Sequence, residues 1–269
     1  METRSAIAQV QRVLVTRGAA SNGTRAIPEE SAVSFTYDSA TFAVMMATPQ
    51  DLEDFATGFS LTEGIIETAS DICSIQVVAH EQGIEARLTL SKPRGVQLES
   101  RRRQLAGPAG CGLCGIESLE AAVRPARPVK SDLQVTPQAI FSALASLRDH
   151  QRLNAATRAV HAAGFWSVRE GRLIAAREDV GRHNALDKLA GALARESIDA
   201  REGFIALSSR LSIELVQKAA AIGCPMLVAV SAPTNYALRA ANSAGMTLVA
   251  IARDDSFEVF TQAQRISGP

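Results

Sequence analysis

Hydrophobic and polar residues alternate through the first third of the chain, and further on they recur at helical spacing. "AVSFTYD" and "TFAVMMAT" alternate with period two on either side of the turn residues Asp38 and Ser39, which predicts a strand pair. "SIQVVAH" and "IEARLTL" repeat the pattern around "EQG". Between the pairs, "TPQD" has the form of a helix start, with Thr48 as N-cap, Pro49 first in the helix and Asp51 closing a capping box. That helix is expected from Pro49 to about Ser60, and "LTEGII" ends it at Gly64. The residues up to about Glu30 are polar and turn-rich, with "RGAASNGT" reading as a loop, and predict a flexible segment over 1–30.

The later pattern is more regular. "TPQAIFSALASLRDHQ" predicts a capped amphipathic helix with Ile140, Leu144 and Leu147 on one side. "GFWSVREGRLIAARED" predicts a hairpin turning at Glu170–Gly171, and "VGRHNALDKLAGALARE" a helix. "FIALSS", "PMLVAVS" and "MTLVAIAR" are short buried strands that alternate with the helices of "RLSIELVQKAAAIG" and "APTNYALRAANSAG". Apolar strands alternating with helices imply βαβ units and a parallel or mixed sheet covered on both faces. The fold class is therefore α/β, with a smaller β-rich N-terminal subdomain over 31–130 and an α/β domain over 131–269. The Pro-rich "RPARPVKSD" marks the boundary. Ligands of such sheets bind beyond the C-terminal strand ends, which here are Ser208–Arg210, Ser231–Asn235 and Ala252–Ser256.

The totals narrow the functional classes. Lys and Arg number 28, Asp and Glu 28, for a formal net charge of +0. Non-specific nucleic-acid binding draws on many Lys/Arg–phosphate contacts, so it is disfavoured. The longest apolar run, "AAAIGCPMLVAVSA", is broken by Gly223 and Pro225 and is shorter than the roughly 18 residues of a membrane helix. The start of the chain has no apolar signal region, and a cytoplasmic protein is expected.

The densest chemistry lies in "LAGPAGCGLCGIESLEAA". Cys111 and Cys114 stand three apart among Gly107, Gly110, Gly112 and Gly115, just ahead of a helix-like stretch. A structural zinc site wants a second Cys pair or suitably spaced His, and Cys73, Cys224, His80, His150, His161 and His183 are isolated. A zinc deaminase would place a His-x-Glu upstream of the pair, and there is none. A thioredoxin-type dithiol normally follows the first strand of its fold. A nucleophile suits the pattern better: glycines leave the sulfur bare, the following helix start lowers its pKa, and Arg101, Arg102 and Arg103 add positive charge. Two small residues in a turn are the bland alternative.

Other positions carry weaker signals. "EDVGRHNALDKL" gathers charges about a helix start, making Arg182 and His183 candidates for an anion site, with a salt-bridged surface helix as the alternative. Ser208, Ser209 and Arg210 suit a phosphate, or equally an N-cap beside a surface arginine. Thr234 is as readily an N-cap. His161 reads as a structural histidine, Cys73 and Cys224 as buried inert thiols, and Trp166 and the methionines as core.

"GPAGCGLCGIESL" resembles the signature loop of the FdhD family, the formate dehydrogenase accessory sulfurtransferases. "VMMATPQDLEDFATGFSLTEGII", "HAAGFW", "EDVGRHNALDKL", "SSRLSIELVQKAA" and "VAVSAPTNYALRAA" resemble further family segments in family order, so the likeness runs roughly from Phe42 to Arg265. The resemblance implies a cytidine-deaminase-like three-layer α/β/α fold with an added N-terminal subdomain, and a homodimer. It implies a sulfur carrier that takes persulfide sulfur from a cysteine desulfurase. The sulfur goes to a Mo- (or W-) bis(molybdopterin guanine dinucleotide) cofactor before that enters formate dehydrogenase. Cys111 matches the persulfide-carrying cysteine and Cys114 the second loop cysteine. The cofactor-binding stretch maps onto Ile251, Ala252, Arg253, Asp254, Asp255 and Ser256, and a guanine nucleotide is expected to fit the same pocket. Here the chain departs from the family pattern: relatives often have an aromatic first and a Gly-Arg pair last. Two carboxylates beside a phosphate-bearing ligand must face away or read the guanine edge. A deaminase-like zinc hydrolase and a non-catalytic cofactor scaffold are the rival functions.

Overall fold

A computed structural model describes residues 5–92 and 125–268. The chain opens with a correction to the sequence reading: the expected flexible segment forms an antiparallel hairpin. Its strands are β1 (Ile7–Val15) and β2 (Ala20–Pro28), paired without interruption from Ile7↔Pro28 to Val15↔Ala20. Its side chains gave no warning, because most stay exposed and the pairing rests on backbone bonds rather than an alternating apolar face.

The expected strand pairs assemble into one four-stranded sheet of order β4-β3-β6-β5, with β3 Ser31–Tyr37, β4 Ala40–Ala47, β5 Ile72–His80 and β6 Gly83–Leu90. Helix α1 (Leu52–Thr62) lies across one face. Phe55 and Phe59 from the helix meet Phe35, with ring centroids at 4.9 and 4.4 Å. Each such buried side chain stabilises by about 1.5–3 kcal/mol, plus ~1 kcal/mol for the ring pairing.

The C-terminal sheet has six strands in the order β12-β11-β10-β9-β7-β8. They are β7 His161–Ser167, β8 Arg172–Asp179, β9 Gly203–Leu207, β10 Met226–Ala229, β11 Thr247–Ala250 and β12 Glu258–Thr261. Strands β9, β10 and β11 run parallel, and β7, β8 and β12 make it a mixed sheet. Side chains alternate between two cores. Phe165, Ile205, Leu207, Leu227 and Leu248 face helices α4 (Arg182–Arg195), α5 (Ile213–Ala221) and α6 (Asn235–Ala244). Trp166, Phe204, Ala206, Met226 and Val249 face α2 (Pro137–Asp149) through Ile140, Leu144 and Leu147, with the short α3 (Arg152–Thr157) following it. Helices therefore cover both faces, as the βαβ pattern required. Thr136 caps α2 by accepting from the Ala139 amide at 3.2 Å.

Helix α4 joins the two halves. A Cβ built on Gly58 would lie 1.7 Å from the Asp187 carbonyl oxygen, and one on Gly191 1.8 Å from that of Asp54. Only glycine at both places lets α1 and α4 touch backbone to backbone. Beside the crossing, Lys188 and Asp179 pair at 2.7 Å with both side chains fully buried. Lys188 Nζ also donates to the Thr48 carbonyl at 2.9 Å, and Asp179 accepts from the Thr48 amide at 3.0 Å. A second buried cation, Lys218, meets Asp187 and Glu63 at 2.9 Å each. Burial alone would lower its pKa, and those carboxylates outweigh burial and raise it.

Thr48 is thus not the helix cap that "TPQD" suggested. The helix begins at Leu52 after Asp51, which adopts a left-handed conformation (φ 53°) and makes no side-chain cap bond. The Thr48 hydroxyl accepts from the Val180 amide at 3.2 Å instead, so the residue locks one half of the molecule to the other. The methionines also divide: Met226 and Met246 are core, whereas Met46 is exposed on the edge strand β4.

Candidate functional site at the strand-end edge

Strand direction fixes where the site residues meet. Strands β9, β10 and β11 end on one edge of the six-stranded sheet, and the antiparallel β7 begins and β8 ends there. Ser208–Arg210, Ser231–Thr234, Ile251–Ser256, His161 and the start of α4 therefore share that edge. Bridges tie neighbouring loops together: Leu211 pairs with Pro233, and the Ile251 and Ala252 amides donate to Ser231 and Ala229 carbonyls at 3.2 and 3.1 Å. From β11 to β7 is three strand spacings, about 14 Å. A ligand engaging Ile251–Ser256 and Arg182–His183 together must be extended.

The sequence-predicted residues fare differently. The Ser208 hydroxyl is already taken, accepting from the Ala162 amide at 2.8 Å, and Ser209 donates to the Arg210 carbonyl at 3.1 Å. Arg210 is exposed. The Thr234 hydroxyl accepts from the Ala237 amide at 3.2 Å, so it is the cap of α6. Ile251 is half-buried with φ 52°, a left-handed conformation costly for a β-branched residue. Ala252 is buried, and Arg253 is turned back onto the Val230 and Ala252 carbonyls. Asp254 pairs with Arg148 of α2, and Asp255 accepts from the Ser256 hydroxyl at 3.1 Å. Asp254, Asp255 and Ser256 are exposed.

At the other end of the edge stands a tighter cluster. His183, 7% exposed, points Nε2 at Glu214 Oε2 across 3.7 Å, an ion-pair distance too long for a hydrogen bond. Burial alone would raise the Glu214 carboxyl; His183, Ser212 and the carboxylate's own amide at the helix start outweigh it and hold the carboxyl at about 2. Glu214 is therefore an anion at neutral pH. His161 lies alongside: burial first, then the charges of Arg182, His183 and Arg210, push its imidazole below the ordinary value. The edge thus combines a fixed carboxylate, two arginines and two imidazoles at the starts of α4 and α5. Neither start has a side-chain cap.

The sequence reading missed three of these residues. His161 looked structural, yet its register partner in the hairpin is Asp179, which puts it beside the α4 start. Ser212 and Glu214 were hidden because a serine followed by a glutamate at a helix start reads as ordinary capping.

Cys111, Cys114 and Arg101–Arg103 lie outside the described residues. Among the described residues no group of His, Cys, Asp and Glu can hold a metal ion. Cys224 is buried as expected, with burial pushing its thiol up to about 12. Cys73 is not: it is exposed. The register passes from Ile72↔Leu90 to Ser74↔Thr89, so Cys73 is the extra residue of a bulge. No helix among the described residues is long and apolar enough to cross a membrane.

The model of the FdhD/NarQ family matches residues 28–267. The chain belongs to the FdhD/NarQ family. The FdhD relatives named Sulfur carrier protein FdhD include one from Agrobacterium fabrum, 53% identical over 96% of this chain and 95% of its own. Another, from Brucella abortus biovar 1, is 51% identical over 90% of each chain. A solved structure from Desulfotalea psychrophila, described as a formate dehydrogenase accessory protein, superposes with a TM-score of 0.76. It covers 97% of this chain and 100% of its own at 24% identity, a likeness of fold.

Proposed function

We propose that this FdhD-family chain is a sulfurtransferase that carries sulfur as a persulfide on Cys111 and delivers it to a molybdenum cofactor bound at the strand-end edge. One observation carries the reading. The chain is 53% identical to a sulfur carrier protein over nearly its whole length, and it has both cysteines in the Gly-rich stretch where that chemistry is expected.

The first step balances simply. The Cys111 thiolate attacks the outer sulfur of a desulfurase cysteine persulfide. A new S–S bond forms, the old one breaks, and the desulfurase leaves as a thiolate. For delivery, the Cys114 thiolate attacks the Cys111 sulfur and expels the outer sulfur at the sulfide level. The two cysteines become a disulfide that an external thiol reduces. The acceptor is the Mo-bis(molybdopterin guanine dinucleotide) that formate dehydrogenase later receives. Its extended pterin–diphosphate–guanosine arms suit an edge whose two ends lie about 14 Å apart. A cysteine desulfurase as donor, formate dehydrogenase as final recipient, a homodimer, a cytoplasmic location and cytidine-deaminase-like layering belong to the same proposal.

The test is to incubate the pure protein with a cysteine desulfurase and cysteine, then map added sulfur by peptide mass spectrometry. One extra sulfur on Cys111, absent from Cys111→Ala, is expected. No added sulfur on either loop cysteine, with the desulfurase active, defeats the carrier mechanism.

A further inference from the structure

The N-terminal hairpin is a sheet of its own: among the described residues, β1 and β2 pair with no other strand. At about 3.4 Å per residue, its paired length from Ile7 to Val15 extends ~30 Å. Arg25 of β2 donates to the Thr157 carbonyl of α3 at 3.5 Å, so β2 is the strand nearer the body and β1 the outer one. A Cβ built on Gly18, in the turn, meets nothing within 4 Å. A two-stranded hairpin is marginal in water, and a third strand is one way to make it stable. The family match begins at residue 28, so all of the hairpin but its last residue lies outside it.

The hydrogen bonds show which groups of β1 stay open. The Thr16 amide donates to the Ala19 carbonyl at 2.8 Å, and the Glu29 amide to the Ala6 carbonyl at 2.9 Å. Bonded and non-bonded pairs alternate along an antiparallel ladder. The even-numbered residues of β1 therefore bond β2, and the odd-numbered ones turn their N–H and C=O outward. The Ser5 hydroxyl takes up both groups of Ile7, at 3.2 and 2.8 Å. Gln9, Gln11, Val13 and Val15 remain, all exposed, as an evenly spaced row of backbone donors and acceptors. Val13 and Val15, 62% and 73% exposed, share one face of the ribbon, and Arg12 and Leu14 share the other. An open edge with apolar side chains beside it is a template for another strand.

Charge selects the occupant. From Ser5 to Pro28 the chain carries Arg12, Arg17 and Arg25 and no Asp or Glu. A second copy of β1 would set one arginine-bearing edge against another, and like charges on paired strands oppose that. The complementary strand puts carboxylates on the Arg12 face and apolar residues on the Val13–Val15 face. Alternation of the two along an extended segment does both. We infer that the open edge of β1 docks an extended segment of a partner protein, one in which acidic and β-branched apolar residues alternate, as a third strand of the hairpin.

The test is fluorescence anisotropy of labelled peptides on the full-length protein at low ionic strength. The peptides are a short Val-Glu repeat, the matching Val-Lys repeat, and a peptide with the composition of the first but its valines and glutamates in two blocks. The Val-Glu repeat should bind about tenfold more tightly than either of the others, and its lead over Val-Lys should shrink as salt is added. Arg12→Glu should reverse the order of the two repeats, which a folding defect cannot imitate. The wild-type comparison needs no variant and decides the question alone if Arg12→Glu misfolds. Equal affinity for the two repeats overturns the acidic partner. Equal affinity for the block peptide overturns strand addition, and no binding of any peptide overturns both. Sedimentation of wild type and Val13→Asp should agree. A dimer that Val13→Asp dissociates puts a second copy on the edge and overturns the inference.

Discussion

Replacing Lys188 with methionine tests how the two halves of the molecule are joined. The Lys188 ammonium is fully buried, 2.7 Å from Asp179 and 5.6 Å above the Phe55 ring, and donates to the Thr48 carbonyl. Asp179 accepts from the Thr48 amide, the Gly181 amide at 2.8 Å and Asn184 Nδ2 at 2.9 Å. Lys188→Met leaves that carboxylate buried with amide partners but no counter-charge. Breaking one side of a buried pair costs about 3–5 kcal/mol, a large share of the ~5–15 kcal/mol that holds a domain together. The folding constant should fall by about two to three and a half powers of ten. Adding Asp179→Asn removes the orphaned charge, so the double variant should recover at least ~2 kcal/mol relative to the sum of the single variants. Urea unfolding followed by circular dichroism and by the fluorescence of Trp166, the single tryptophan, measures all four corners of the cycle. Single-variant losses below ~1 kcal/mol, or losses that add within ~0.5 kcal/mol, would refute the view that this pair is the electrostatic joint of the fold.

Three further outcomes follow from the same geometry. Gly58→Ala must push α1 off α4, because its methyl would sit 1.7 Å from the Asp187 carbonyl oxygen. A loss of ~3 kcal/mol or more is expected, against a few tenths for an alanine on an exposed turn, and unchanged thermal unfolding contradicts the close crossing. The Glu214 carboxyl is lowered from 4.5 to about 2 on folding, so its stabilising contribution is complete above pH 4.5 and is lost as pH falls through about 2. The difference in urea midpoint between wild type and Glu214→Gln should shrink from pH 5 to pH 2.5, and a constant difference rules the depressed carboxyl out. Alkylation of the native protein at pH 8 should label the exposed Cys73 readily and spare Cys224, whose buried thiol is pushed up to about 12, until the chain is unfolded. Equal labelling, read by peptide mass spectrometry, contradicts the burial.

The sequence by itself determined what depends on local pattern. Period-two alternation located the two strand pairs of the N-terminal sheet, helical spacing located α2 with Ile140, Leu144 and Leu147 inward, and Thr136 and Thr234 act as caps. Apolar strands alternating with helices implied a parallel or mixed sheet covered on both faces, and the family segments pointed to a sulfur carrier. These features are legible because each is set by residues within a few positions of one another. The tertiary structure decided the rest, because the deciding partners lie far apart in the chain. Thr48 has the sequence of a cap, yet it bonds Asp179, Val180 and Lys188, more than a hundred residues away. Asp254 lies in the stretch expected from the sequence to bind a cofactor, yet it is drawn off by Arg148. Glu214 reads as helix capping until the fold sets it against His183, and His161 reads as structural until β7 brings it beside Arg182. Burial and charge at a site are properties of the assembled surface. A pattern of neighbours along the chain cannot encode which charged groups the fold will bury against one another.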